Sequence, residues 1–340
     1  MFPWPAGSAT GVGSLPGADP AEAMRIVVGE LPDFPHLAET PGAGVGADMI
    51  GRAAAQLVDL HVELTVSGWR FADRAGADER RARAALARDL DVLEEHLQGF
   101  AGPLKIQCAG PWTLAGSLEL RYGDKALADH GAVRDITAAL AEGLAGVTAD
   151  VAKRVPGAAL VVQLDEPLLP AALAGRVPTA SGFGMLPLVE VTDAVEKLRL
   201  MVQAVDDVGA TPIAHCCAAN PPVRVFADAG VRAVGVDAAL LPTSDDDTVG
   251  ELVEQGVGLF LGLVPSLDPD DDRPPRAREL AAPARELWSR LGFPPETLAR
   301  DVVVTPTCGL AGASTSWPAR AYRLCRDVAQ VLLEEPEERK

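Results

Sequence analysis

A (β/α)8 barrel, the TIM barrel, is the α/β fold this sequence predicts. Short apolar runs rich in β-branched residues alternate with long amphipathic Ala/Leu/Arg/Glu segments, the pattern of parallel strands with helical crossovers. The 340-residue chain carries eight such runs, more than an open doubly wound sheet usually has. No internal repeat and no long Gly/Ser linker divides it, so residues 1–340 read as one barrel domain.

The runs, in order, are ATGVGS (9–14), PHLAE (35–39), LKIQCAG (104–110), ALVVQLDEP (159–167), TPIAHCC (211–217), RAVGVDA (232–238), VGLFLGLVP (257–265) and VVVTPTCG (302–309). Each ends in Gly, Pro or a polar residue, as a strand entering a loop does. Helices are expected between them over 50–66, 77–99, 131–154, 190–207, 219–229, 274–291 and 317–334. Asn220-Pro221 and Ser316-Trp317-Pro318 have the composition of helix starts. The acidic, proline-rich segment from Ser266 to Arg278 reads as an exposed loop after the seventh run.

Composition narrows the function. Hydrophobic residues make up 48% and aromatic residues only 4%, so the core must be built mainly from Ala, Val and Leu. The net charge of −18 would repel nucleic acid and anionic membranes over most of the surface. The N-terminal residues lack a basic segment followed by an apolar one, and no apolar run reaches the ~18 residues of a membrane span, so a cytoplasmic protein is expected. Five cysteines, two of them adjacent, make a poor disulfide framework; reduced thiols, buried or metal-bound, are the better reading.

In a TIM barrel the reactive groups gather on loops at the C-terminal ends of the strands. Ser14, Asp165, Glu166, His215, Cys217, Asp237 and Cys308 all stand there. Thiolate, imidazole and carboxylate are zinc ligands, which makes His215, Cys217, Cys308 and Asp237 candidates. Side chains alternate along a strand, so His215 and Cys217 share a side and Cys216 points the other way. Cys108 and Cys325 are assigned to packing. Bland roles stand beside these: free cysteines are often small buried hydrophobes, Asp237 could cap a helix, Ser14 could cap a turn, and Glu166 suits a structural role against Pro167.

HCC with a distant CGL, GSLP near the start and QLDEP at mid-chain resembles the cobalamin-independent methionine synthase family, specifically its C-terminal catalytic barrel. The resemblance implies a barrel of the methionine synthase and uroporphyrinogen decarboxylase type. It implies a zinc site at His215, Cys217 and Cys308, with Asp237 near the position of a glutamate ligand. It also implies that the Val12-Gly13-Ser14 turn holds the carboxylate of homocysteine and that Asp165 holds its amine. The implied reaction is transfer of a methyl group to a thiol whose ordinary pKa is near 8.5 and which the zinc cation converts to thiolate. The partners implied are a small-molecule thiol and a methyl donor, either methyl-folate or a methyl-corrinoid protein.

The sequence departs from the family on the donor side. Val264 stands near the family's histidine acid, Ala171 near a folate-contacting glutamate, and Trp112 lies inside the GPWT turn rather than after it. Gly51 meets a second carboxylate expected near the homocysteine amine. A donor other than the usual folate is therefore expected. Alkyl transfer to another thiol, such as coenzyme M, and a catalytically inactive metal-binding barrel are the alternatives. Uroporphyrinogen decarboxylase chemistry would call for arginines near the N-terminus, and the first 20 residues contain none.

Overall fold

The computed structural model describes residues 2–269 and 275–337. In chain order the strands are β1 (His61–Thr65), β2 (Gly68–Ala72), β3 (Ala101–Ala109), β4 (Gly157–Asp165), β5 (Thr211–Cys216), β6 (Ala233–Asp237), β7 (Gly258–Val264) and β8 (Val302–Pro306). The helices are α1 (Pro20–Glu30), α2 (Met49–Ala54), α3 (Ala77–His96), α4 (Pro111–Ser117), α5 (His130–Arg154), α6 (Leu169–Leu173), α7 (Val191–Asp207), α8 (Val223–Ala229), α9 (Asp246–Glu254), α10 (Ala277–Leu291), α11 (Leu298–Asp301) and α12 (Trp317–Glu334). None of those described is long and apolar enough to cross a membrane.

Strands β3 to β8 form one parallel sheet in sequential order, and β1 and β2 a separate antiparallel hairpin. The six sheet strands coincide with the third to eighth apolar runs. The first two runs do not become ladder strands, a correction to the eight expected. Instead they cross between the sheet's edges on single bridges: Ala9 to Val304 of β8, Ser14 to Glu39, and His36 to Lys105 of β3. Backbone bonds support each bridge, among them Thr10 N to Val304 O at 3.0 Å, Glu39 N to Gly13 O at 3.1 Å and Leu37 N to Lys105 O at 2.8 Å. The reason lies in composition: the first run contains Gly11 and Gly13, and the second is five residues long and begins with Pro35, which has no N–H to donate.

The helix expected over 50–66 is also corrected. It stops at Ala54, and His61–Thr65 pairs in register with Gly68–Ala72. Val62 and Trp69 are buried while Glu63 and Arg70 face each other across the strands and bond at 2.8 Å, an alternation that favours a hairpin over a helix. The helix expected from 219 begins only at Val223, because Asn220 adopts a left-handed φ of 56° and two prolines follow it. Of the loop expected over 266–278, residues 270–274 lie outside the described residues; the helix expected from 274 runs from Ala277.

Two separate apolar layers result. Ala214, Cys216, Val234, Val236 and Leu261 point outward into the large core between sheet and helices. Val161, Ile213, Ala233, Phe260 and Val303 point the other way and pack with Trp4 and Phe34. Trp4 stacks on Phe34 at 5.9 Å between ring centres and meets Phe260 edge-on at 5.0 Å. This aromatic floor fills the inner side toward the strands' N-terminal ends, so the polar inner residues further along, Gln107, Gln163, Asp165 and His215, stand above it.

Candidate metal centre

His215 lies on β5 with the inward parity of Ile213, and its backbone pairs with Gly235 of β6. That partner has to be glycine: a Cβ there would stand 2.9 Å from His215 Nδ1, closer than packed atoms approach. The imidazole is 5% exposed, and its Nε2 is buried without a hydrogen-bond partner. An orphaned buried nitrogen costs free energy unless something binds it.

Cys217 follows the end of β5, and Cys308 follows β8. Their sulfurs lie 2.9 Å apart and share a hydrogen bond. The ligand atoms of His215, Cys217 and Cys308 all lie within 4.8 Å of one another. The shared hydrogen bond holds the Cys308 thiol well below its ordinary range and pushes Cys217 well above it, with burial opposing ionisation at both. Two sulfurs and an unpartnered imidazole nitrogen at this spacing are a donor set into which a metal such as zinc fits. Cys216 is fully buried on the opposite face, as alternation predicts, and Cys108 and Cys325 are buried in the sheet–helix core.

Asp237 stands at the end of β6 beside these three without joining them. Its Oδ1 accepts from Ala239 N at 2.9 Å and caps the short 3-10 turn Ala238–Leu240. Burial raises its carboxyl pKa, a negative Cys308 raises it further, and His215 opposes both.

Asp165 ends β4 in register with His215. It is 7% exposed and accepts from Gln163 Nε2 at 2.8 Å. Burial pushes its pKa up to about 7 against the downward pull of His215 and Lys105. Ser14 is half-buried, and its carbonyl accepts from Leu310 N at 2.7 Å. Any Cβ at Gly309 would overlap the Ser14 hydroxyl, so the VGS turn and the CGL loop depend on that glycine to lie together. Thus Ser14 sits against the Cys308 loop and Asp165 against His215.

Glu166 has the structural role expected of it. Fully buried, it accepts from Trp112 N at 3.0 Å, Thr113 N at 2.7 Å and Thr113 Oγ1 at 2.7 Å, pinning the start of α4. Trp112 is buried and donates through Nε1 to Ala194 O at 3.3 Å, at the start of α7. Val264 is buried on β7 where the pairing with β8 shifts register. Gly51 is buried in α2, and Ala171 lies on α6.

Sequence reasoning passed over three inner residues: Lys105, Gln107 and Gln163. Lys105 is fully buried and donates through Nζ to Val12 O at 2.7 Å and Gln107 Oε1 at 3.3 Å. Gln163 Nε2 reaches the same carbonyl at 3.0 Å. The signal was available, since Lys105 and Gln107 alternate with apolar residues in LKIQCAG and share the parity of Asp165 through the register of β3 on β4.

Comparison with known proteins decides the family. Residues 7–331 match the family described as cobalamin-independent synthase, catalytic domain. The chain belongs to that family.

A B12-independent methionine synthase from Shewanella sp. W3-18-1, solved in complex with selenomethionine, is 12% identical across 97% of this chain and 99% of its own, with a TM-score of 0.60. At that identity the likeness shows the fold. β-Methylaspartase from Clostridium tetanomorphum matches 90% of this chain and 60% of its own at 13% identity, with a TM-score of 0.43. A comparison with curated proteins found no significant match. Within the family frame, the cluster His215, Cys217 and Cys308 is the candidate metal centre of an α/β enzyme whose core is six parallel strands flanked by helices.

Proposed function

We propose that this protein is a zinc-dependent methyltransferase acting on the thiol of homocysteine to give methionine. The observation that carries the reading is the convergence of His215, Cys217 and Cys308 within 4.8 Å, with Asp165 in register beside His215. The bridged segments at residues 9–14 and 35–39 are read as the first two staves of a (β/α)8 barrel, and the whole chain as one catalytic domain. Five unpaired cysteines suit a reducing, cytoplasmic setting.

His215 Nε2 and the sulfurs of Cys217 and Cys308 would hold the metal, and Asp237 is proposed as the fourth ligand, for which its carboxylate would have to turn from its cap on Ala239. Bound there, zinc supplies positive charge that favours the thiolate of the acceptor at neutral pH. The remaining work belongs to the chain. Asp165 binds the acceptor amine through a charge-assisted hydrogen bond and Ser14 orients the carboxylate. The aromatic floor excludes water from below. Together these hold the sulfur in one orientation toward an incoming methyl group, which is where positioning contributes to rate.

On the donor side, Trp112 is tied to Ala194, Val264 offers no acid and Ala171 no carboxylate. These support a corrinoid-borne methyl group over methyl-folate. Incubating zinc-loaded protein with homocysteine and either methylcobalamin or methyltetrahydrofolate, with methionine measured by mass spectrometry, tests this. Faster methionine formation from methylcobalamin is expected; formation from methyltetrahydrofolate alone overturns the donor assignment, and none from either overturns the methyltransferase reading.

A further inference from the structure

Lys105 is a lysine in the interior of the sheet. It is fully buried, and its strand neighbour in register is Val161, part of the apolar inner layer. An ammonium in such a place costs several kcal/mol on the order-of-magnitude scale of buried ions unless its partners offset it. Burial pulls its pKa down to about 8, against an upward pull from Asp165 and Glu39. The cost is offset by the buried carboxylates of Asp165 and Glu39 and by the two acceptors the ammonium bonds.

What the ammonium touches suggests its purpose. The Val12 carbonyl accepts two side-chain donors from two strands, Lys105 Nζ at 2.7 Å and Gln163 Nε2 at 3.0 Å. Gln163 Nε2 also reaches Asp165 Oδ1 at 2.8 Å. Gln107 Oε1 accepts from Lys105 at 3.3 Å, and Gln107 Nε2 donates to Leu37 O at 2.8 Å. Val12 immediately precedes Gly13-Ser14, and both N-terminal segments are attached to their neighbours by single bridges rather than ladders. Backbone bonds hold the bridges at Ala9 and Ser14, and side-chain donors from β3 and β4 hold the Val12 carbonyl that lies between them.

We infer that Lys105 is the positioning residue of the acceptor pocket: by fixing the Val12 carbonyl it sets the Gly13-Ser14 turn against Asp165 and so shapes the cradle for the amino-acid end of the thiol. This rests on the acceptor reading above. Lys105 bonds Val12 and Gln107 and none of His215, Cys217 or Cys308, so its effect should fall on recognition of the amine and carboxylate and leave the metal site alone.

Calorimetric titration of zinc-loaded wild type and Lys105→Met with homocysteine, and separately with ethanethiol, separates the cases. Ethanethiol has a sulfur but no amino or carboxylate group. In Lys105→Met the homocysteine Kd should rise on the order of tenfold or more, the size expected when a displaced cradle loses one charge-assisted hydrogen bond to the ligand, while zinc per chain and the ethanethiol Kd stay at wild-type values. Should Lys105→Met not fold, Lys105→Gln, which keeps an N–H donor, carries the same comparison with a smaller loss. An unchanged homocysteine Kd overturns the inference, as does an equal loss for both thiols, which would mark a purely structural lysine. Wild-type protein that binds ethanethiol but not homocysteine overturns the acceptor reading itself, and that result is visible before any variant is made.

Discussion

Replacing both thiols, Cys217→Ser with Cys308→Ser, is expected to take the protein from about one zinc per chain to almost none and to abolish methyl transfer. The two sulfurs are 2.9 Å apart, and both lie within 4.8 Å of the imidazole nitrogen, so the double variant leaves a single strong ligand, His215. Neither cysteine lies in the large apolar core, and the variant should stay folded. Cys216→Ser is the matched control. That residue is fully buried against the helices, so exchanging its thiol for a hydroxyl should cost about 1–3 kcal/mol of stability and leave metal content unchanged. Zinc measured by plasma mass spectrometry alongside a urea melt checks both halves. A double variant that retains its zinc, or a Cys216→Ser protein that loses it, contradicts the assigned ligand set.

Asp165→Asn should lower kcat/KM for homocysteine by about ten- to a hundredfold, the range expected when a charge-assisted hydrogen bond to an ammonium is lost. Gln163 occupies Oδ1, and the second oxygen is the one assigned to the amine. The isosteric amide keeps the shape and removes the charge, so zinc content should not change. The same variant discriminates between acceptors. A thiol without an α-amino group, such as coenzyme M, gains nothing from Asp165, and a protein built for it would keep nearly full activity in Asp165→Asn. Initial rates with both thiols, on wild type and variant, distinguish the two.

Much of the site was legible before the structure because strand alternation is a strict geometric rule. Period two divided His215 and Cys217 from Cys216 in HCC, and Ile213 and Cys216 do fall into opposite apolar layers. Motif order likewise placed Ser14, Asp165 and Cys308 on neighbouring loops. Less legible was anything that depends on long-range closure. Nothing local in ATGVGS or PHLAE says that these segments would be held by single bridges and by side chains from β3 and β4. Lys105 was missed because a lone lysine in an apolar run reads as a strand's solvent face, whereas here both faces of the strand are covered. The first strand of the hairpin, residues 61–65, falls inside the helix expected over 50–66 because it follows α2 closely and the turn at Val66-Ser67 that reverses the chain is only two residues long. Asp237 stood equally between ligand and cap on sequence grounds; its bond to Ala239 N shows the capping contact, and the ligand role remains a proposal.

The central claim is that the metal centre and the acceptor site are one place, with the acceptor sulfur meeting the metal beside Asp165. Zinc-edge X-ray absorption on the zinc-loaded protein, recorded with and without homocysteine, tests this most directly. One added sulfur neighbour on the zinc when homocysteine is present is the predicted result. A sulfur count that does not change on saturation with homocysteine would contradict it.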